Sequence, residues 1–198
     1  MLCYNEYARE TPPKHMLYTK SGDDGTTKTF GCDQRISKSS TTAEALGSLD
    51  EINSFLGLCK VRSSEAGFKV GDKSFEEIVH SLQESLFSIQ AELAGADKHI
   101  GEEKVKELEQ LIGQAESEMP PIKTFFISGG TELGATFDVA RTIARRAERR
   151  VVGVSDEGVT KLGAETLRFM NRLSSILYAL ARLSNYKSGI KETAPSYT

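Results

Sequence analysis

Arg141-Thr142-Ile143-Ala144-Arg145-Arg146-Ala147-Glu148-Arg149-Arg150 sets five arginines and one carboxylate in ten residues, downstream of a Gly129-Gly130 turn. No proline or glycine interrupts the stretch, so it reads as helix. At 3.6 residues per turn, each residue advances by about 100°. Arg145 then falls about 40° to one side of Arg141 and Glu148 about 20° to the other, and the three make one narrow stripe. Arg146 and Arg150 lie about 140–180° from Arg141, while Ala140, Ala144, Ala147 and Val151 gather at about 240–300°. The apolar arc marks the buried side. The stripe borders it, and the Arg146/Arg150 pair is expected to face water. Two readings of the stripe stay open from the residues alone. Arginines held by a carboxylate at the edge of a core suit a phosphate-rich or otherwise anionic ligand. Charge pairs at i,i+3 and i,i+4 also decorate solvated or inter-subunit helix faces.

The helix carrying this stretch extends over about Thr131–Val154, and similar patterns lie on both sides of it. Thr41-Thr42-Ala43-Glu44 reads as a capping box. The helix it opens has Ala45, Leu49, Ile52, Leu56 and Cys59 at three- and four-residue spacing. Ser63 to Lys73, with Gly67 and Gly71, reads as a linker. Ser74 to Glu77 is a second capping box, followed by Phe75, Ile78, Val79, Leu82, Leu86, Ile89 and Leu93 on one side. Gly95 to Gly101 breaks that helix. A shorter one follows with Val105, Leu108, Leu111, Ile112 and Ala115, stopped by Pro120 and Pro121. Lys123 to Gly130 is a short apolar run into the glycine turn, and Ser155 to Gly158 is a turn. The last helix is expected over about Val159–Lys187, with Leu162, Met170, Leu173, Leu177, Leu180 and Ala181 in its stripe. No strand–helix alternation and no repeat appear. The expected fold is all-α, a four-to-five-helix up-and-down bundle. Residues 17–190 form its single domain, 1–16 an extension and 191–198 a tail. Residues 17–40, rich in Gly, Ser, Thr and Asp, read as an ordered loop or short hairpin laid on the bundle, or as a disordered tail.

A chain of 198 residues with 38% hydrophobic and 27% charged residues matches one soluble domain with a substantial core. A net charge of −3 and the lack of a continuous basic surface argue against nucleic acid as a partner. No apolar run approaches the length of a membrane span. Met1 to His15 carries Glu6, Arg9, Glu10 and Lys14 without an apolar core, so it does not read as a signal peptide. Cys3, Cys32 and Cys59 are widely spaced with no CxxC, which fits a reducing compartment and argues against structural zinc. With the scattered His15, His80 and His99, no side-chain metal site is expected, and the cytoplasm is the expected location.

Three further segments carry chemistry. In Tyr18-Thr19-Lys20-Ser21-Gly22-Asp23-Asp24-Gly25-Thr26-Thr27, the glycines let backbone N–H groups approach phosphates, and Lys20 and the hydroxyls add charge and donors. The Walker A spacing is absent, and a flexible Gly/Thr tail has the same composition. Asp50, Glu51 and Asn53 lie mid-helix. Either one carboxylate faces the core and takes an arginine of the stripe as partner, or the two form an exposed acidic pair. Asn171 and Ser175 share a face of the last helix, where Asn171 serves a ligand or bonds a neighbour.

Together these segments resemble, in order and spacing, the ATP:cob(I)alamin adenosyltransferases of the propanediol-utilisation type. Tyr18 to Gly25 resembles that family's YT[KR]xGDxG, and Gly47 to Ser54 its GxxDELNS. Phe125-Phe126-Ile127-Ser128-Gly129-Gly130-Thr131 is similar to FILPGGT. Ala140 to Arg149 resembles ARTxxRRAER, and Phe169 to Ser174 resembles [FY]xNRLSD. The resemblance covers nearly all of the chain after residue 16, and chance is a poor account of so many motifs in one order. Departures are Ser128 for the usual proline, Phe137-Asp138 for Leu-His, and Ser175 for Asp.

The resemblance implies a homotrimer of helix bundles with ATP between neighbouring subunits. It assigns Tyr18, Thr19, Lys20, Gly22, Asp23, Gly25 and Lys38 to ATP, together with Arg141, Arg145, Glu148 and Asn171. Arg141, Arg145, Glu148 and Asp50 match catalytic positions, Asp50 as the carboxylate that pairs with the first arginine. Phe125 matches the aromatic wall on the corrinoid side, which helps displace the lower cobalt ligand. Magnesium is implied as bound through the ATP phosphates. The implied chemistry is attack of cobalt(I) on the 5′-carbon of ATP with loss of triphosphate, served by a cobalamin reductase and an adenosylcobalamin-dependent enzyme. Two other functions are compatible with the same residues: a nucleotide-binding sensor or cobalamin-delivery protein with weak catalysis, and a structural helical-bundle interaction protein.

Overall fold

A computed structural model describes residues 17, 18, 20–29, 34–158 and 160–197. The expectations for residues 1–16, with Cys3 and His15, and for Thr19 and Cys32 lie outside the described residues. Among the described residues five helices make the body: α1 (Thr41–Ala66), α2 (Phe75–Leu93), α3 (Glu102–Ser117), α4 (Glu132–Asp156) and α5 (Ala164–Lys187). Two antiparallel hairpins are small. β1 (Thr26–Lys28) pairs with β2 (Arg35–Ser37) ahead of α1, and β3 (Lys69–Val70) with β4 (Lys73–Ser74) between α1 and α2. The order of packing is α2 on α1, α1 on α4, α4 on α5 and α5 on α3. The arginine helix α4 is thus flanked by α1 and α5, and an all-α bundle is what forms.

The expected apolar stripes are the core. Ala45, Leu49, Ile52, Leu56 and Cys59 of α1 are buried, as are Ile78, Leu82, Leu86 and Ile89 of α2 and Met170, Leu173 and Leu177 of α5. Burying side chains of this size contributes about 1.5–3 kcal/mol each. Phe75 joins two layers, its ring edge-on to Phe68 at 5.9 Å and to Phe137 at 6.0 Å. Burial pushes the Cys59 thiol up to about 12, so it remains a protonated core side chain.

The Ser74 capping box forms as the sequence implies, with Ser74 accepting from the Glu77 amide and Glu77 accepting from Ser74 N at 2.7 Å. Three boundaries differ from expectation. The N-cap of α1 is Ser40, whose hydroxyl accepts from Ala43 N at 3.3 Å, so Thr41 is already helical. α1 runs through the expected linker to Ala66 because Ser63 faces inward and is buried. α5 starts only at Ala164, because its first turn is capped from a distance. Its N-cap, Gly163, has no side chain, and Glu92 of α2 instead accepts from Gly163 N at 2.7 Å and from the Thr166 hydroxyl.

His99 leans on that cap, with Nδ1 3.3 Å from Glu92 and Nε2 3.2 Å from Asp97. The hydrogen bond to Glu92 raises the His99 pKa above 6.5, ahead of the opposing desolvation. A raised folded-state value means that stabilisation is complete below the unfolded value and is lost as pH rises through the folded one. The urea midpoint should therefore fall between about pH 6 and pH 8, and part of that slope should vanish in His99→Gln. An unchanged slope in the variant would remove His99 from this account.

Candidate functional site

The glycine-rich segment is the β1–β2 hairpin with its preceding turn. Thr26 donates to Asp24 Oδ1 from its amide at 2.9 Å and from its hydroxyl at 2.7 Å, holding the Asp24 carboxyl below its usual range. Arg35 crosses from β2 and donates to Thr26 Oγ1 at 2.5 Å, to Thr26 O at 3.1 Å and to Ser21 O. Lys38 donates to Gly22 O at 2.8 Å, and a Cβ on Gly22 would stand 2.9 Å from Lys38 Nζ. Gly22 therefore lets the lysine close directly over the turn, and a side chain there would push the Lys38 ammonium aside. The cavity so framed is about 590 Å³ and is lined by Lys20, Asp23, Lys28, Arg35 and Lys38, among others. Four of those five side chains are cationic, which suits an anion. Tyr18 and Lys20 are neighbours at its edge, with Lys20 Nζ 5.8 Å from the Tyr18 ring centre. Gly25 turns the chain at φ 78° and accepts from Lys38 N at 2.9 Å. Thr19 lies outside the described residues. Arg35 was not singled out by sequence reasoning. The available signal was a lone arginine near Lys38 in a segment otherwise rich in Gly, Ser, Thr and Asp.

The second group lies where α4 meets α5. Arg141 is 28% exposed, with Nε 3.7 Å from Asp138 Oδ1 and its guanidinium 5.9 Å from the Tyr178 ring centre. Glu148 accepts from Asn171 Nδ2 at 2.9 Å, and Asn171 in turn accepts from Arg172 Nη1 at 2.6 Å. Asn171 is thus bonded to a neighbouring side chain, while Ser175 beside it is exposed. Arg145 is exposed and makes no ion pair among the described residues. The bonds of Lys38 and Gly22 stay within the hairpin, and those of Glu148 and Asn171 stay between α4 and α5.

The Arg146/Arg150 pair does not simply face water. Arg146 is bound to Glu51 at 2.5 Å and Arg150 lies 3.9 Å from Glu44, both on α1. The reason lies in the same phasing. The apolar arc has two borders, one meeting α5 and the other meeting α1, and the second arginine pair occupies the α1 border. Of the two α1 readings, the exposed acidic pair is the one found. Asp50 and Glu51 are both exposed, Glu51 is matched to Arg146, and Asp50 makes no ion pair among the described residues.

Phe125 belongs to the loop between α3 and α4 and is 76% exposed, with Ile127 60% exposed. The loop is pinned by Ile127 N donating to Thr193 O at 2.9 Å and by Asn185 Nδ2 donating to Gly129 O at 2.9 Å. Gly130, at φ 96°, lies so close to Asn185 that a Cβ would come 2.7 Å from its Oδ1. The two departures before the stripe, Phe137 and Asp138, are buried, Asp138 as the partner of Arg182. These groups supply cations, amide donors and an exposed aromatic. They supply no activated nucleophile, so they suit the binding and displacement of a polyphosphate.

Residues 17–184 match the family model described as cobalamin adenosyltransferase. The chain is 36% identical over 173 residues to the corrinoid adenosyltransferase PduO of Salmonella typhimurium, covering 84% of this chain and 48% of that protein. It therefore spans about half the length of that relative. It is 38% identical over 181 residues to a corrinoid adenosyltransferase of Bacillus subtilis, covering 88% of this chain and 89% of that one. Among solved structures it is similar to a phenylalanine-to-alanine variant of the PduO-type ATP:corrinoid adenosyltransferase from Lactobacillus reuteri, complexed with cobalamin and ATP. The TM-score is 0.80 at 31% identity, over 91% of this chain and 99% of that one.

Proposed function

Since the chain belongs to the cobalamin adenosyltransferase family, we propose that it transfers the 5′-deoxyadenosyl group of ATP to cob(I)alamin, giving adenosylcobalamin and triphosphate. The observation that carries this reading is the exposed Arg145, without an ion pair among the described residues and beside the bonded Glu148 and Asn171. Arg145 is a cation left for a ligand, next to neighbours already held in place. Cobalt(I) brings the electron pair, the cobalt–carbon bond forms as the 5′ carbon–oxygen bond breaks, and the charge leaves on triphosphate. The nucleophile carries no proton, so no general base is required. Lys20, Lys38 and the Arg141/Arg145 stripe stabilise the leaving group where its charge grows. Asp23 and the amides of Gly22 and Gly25 shape the turn around the nucleotide, with Tyr18 at its edge. Phe125 offers an apolar wall to the corrinoid.

Magnesium enters this reading with the nucleotide. Lys20, Lys28, Arg35 and Lys38 around the hairpin cavity suit phosphate oxygens, through which the ion would be held. The ion supplies charge neutralisation on the phosphates.

The active site is proposed to form between subunits of a homotrimer. Support comes from the hairpin and the stripe being separately bonded within one chain, from Asp50, which makes no ion pair among the described residues, and from exposed Leu58, Val61 and Phe87 on α1 and α2. A cobalamin reductase would supply cobalt(I), and an adenosylcobalamin-dependent enzyme would use the product. The widely spaced cysteines support a cytoplasmic location. The test is a spectral assay with reduced cobalamin, ATP and magnesium, paired with calorimetry for ATP. Adenosylcobalamin formation is the expected result. ATP binding without turnover would mark a sensor or delivery protein, and no ATP binding would mark an interaction protein.

A further inference from the structure

One cluster of buried charge has no place in the reaction just described. Arg182 of α5 is 2% exposed and ion-paired on one side with Asp138 of α4 and on the other with Glu192, past the end of α5. The cluster reaches in two directions. Asp138 also lies 3.7 Å from Arg141 Nε, and the Tyr178 ring centre is 5.9 Å from the Arg141 guanidinium and 5.1 Å from that of Arg182. In the other direction Glu192 accepts from Asn185 Nδ2 at 2.6 Å. Asn185 donates to Gly129 O at 2.9 Å and accepts from Thr131 N at 2.9 Å. One residue beyond Glu192, the Thr193 carbonyl accepts from Ile127 N at 2.9 Å. Arg182 also lies 6.0 Å from the Phe126 ring centre. A continuous set of contacts therefore runs from Arg141, in the phosphate-directed stripe, to the loop that bears Phe125.

That loop has little apolar packing of its own, since Phe125 and Ile127 both point out. Where packing does not fix a segment, directional charge-assisted bonds do. We propose that Arg182 and Glu192 are positioning residues. Glu192 fastens the segment after α5 across the Phe125 loop, and Arg182, through Asp138, sets Arg141, so that the aromatic wall and the arginine stripe keep a fixed relation. The inference rests on the adenosyl-transfer reading. It goes beyond that reading in giving residues that touch neither substrate a part in corrinoid placement.

Glu192→Gln in the full chain keeps the side chain's shape and removes its charge, and Glu192→Asp restores the charge on a shorter arm. Amide exchange of Ile127 and Thr131 should speed by about tenfold in Glu192→Gln. KM for the corrinoid should rise by about fivefold while KM for ATP stays within about twofold, and Glu192→Asp should recover part of the loss. Unchanged exchange at Ile127 overturns the strap. Faster exchange with unchanged kinetics makes it structural only and overturns the positioning role. Equal rises in both KM values, with a lowered melting temperature, mean general loosening and overturn it as well. A wild-type chain that transfers no adenosyl group sinks the functional reading instead, and that is seen before any variant is compared.

Discussion

Arg145→Ala lowers the rate of adenosyl transfer by about 10²–10³-fold, whereas Arg146→Ala lowers it by less than about tenfold. The two residues are adjacent and chemically identical, so the difference comes from where each guanidinium points. Arg145 is exposed on the α5 side of α4 and has no ion-pair partner among the described residues, so its charge is available to a leaving triphosphate. Arg146 is on the α1 side and already bound to Glu51 at 2.5 Å. An ion pair as exposed as that one contributes about 0–1 kcal/mol to stability, and its loss mainly releases Glu51 to water. Removing an exposed, unpaired arginine changes stability by no more than about 0.5 kcal/mol, so Arg145→Ala should melt as the wild type does. Initial rates at saturating ATP, taken beside thermal melts, make the comparison. Equal losses in the two variants would contradict the helical phasing on which the site is built.

That phasing was legible because the Arg141–Arg150 stretch has no internal breaker and the apolar arc beside it is continuous. The same holds for α2, where Ser74 and Glu77 announce the start three residues apart. What the sequence did not announce depends on contacts between distant residues. Ser40 and Thr41 are both able to cap, and only the bond to Ala43 N selects Ser40. Local propensity favours a break at Ser63–Ser64, but burial of Ser63 carries α1 onward to Ala66. The start of α5 is set by Glu92, on another helix. At the candidate site, glycine spacing pointed to the hairpin, yet the arginine that knits it, Arg35, acts through backbone carbonyls that no motif displays. The two borders of the α4 arc were likewise visible as angles, but which neighbour each border meets is decided by packing. The Arg182 cluster had no local signal at all, because its three charges come from α4, α5 and the segment beyond α5.

Arg182→Met should cost about 3–5 kcal/mol of folding stability, the second large effect expected of a single substitution. The loss does not follow from arginine being a strong stabiliser. Withdrawing two opposite charges from water and pairing them roughly breaks even. Withdrawing Arg182 alone leaves the buried Asp138 with only the more distant Arg141, 3.7 Å away, and the part-buried Glu192 without its cation. Exposed Arg172, bound to Glu109 at 3.0 Å, provides the contrast: Arg172→Met should cost less than about 1 kcal/mol, because water replaces the bond. If the cost is stranded charge, replacing the whole cluster, Arg182→Met with Asp138→Leu and Glu192→Met, should recover most of the stability lost by Arg182→Met alone. Urea unfolding of the single and triple variants measures both steps. If the triple variant were no more stable than the single one, the cluster would owe its worth to bond geometry more than to charge balance. If it recovered stability but not corrinoid affinity, the buried charges would be retained for placement of the Phe125 loop, at no net gain in stability.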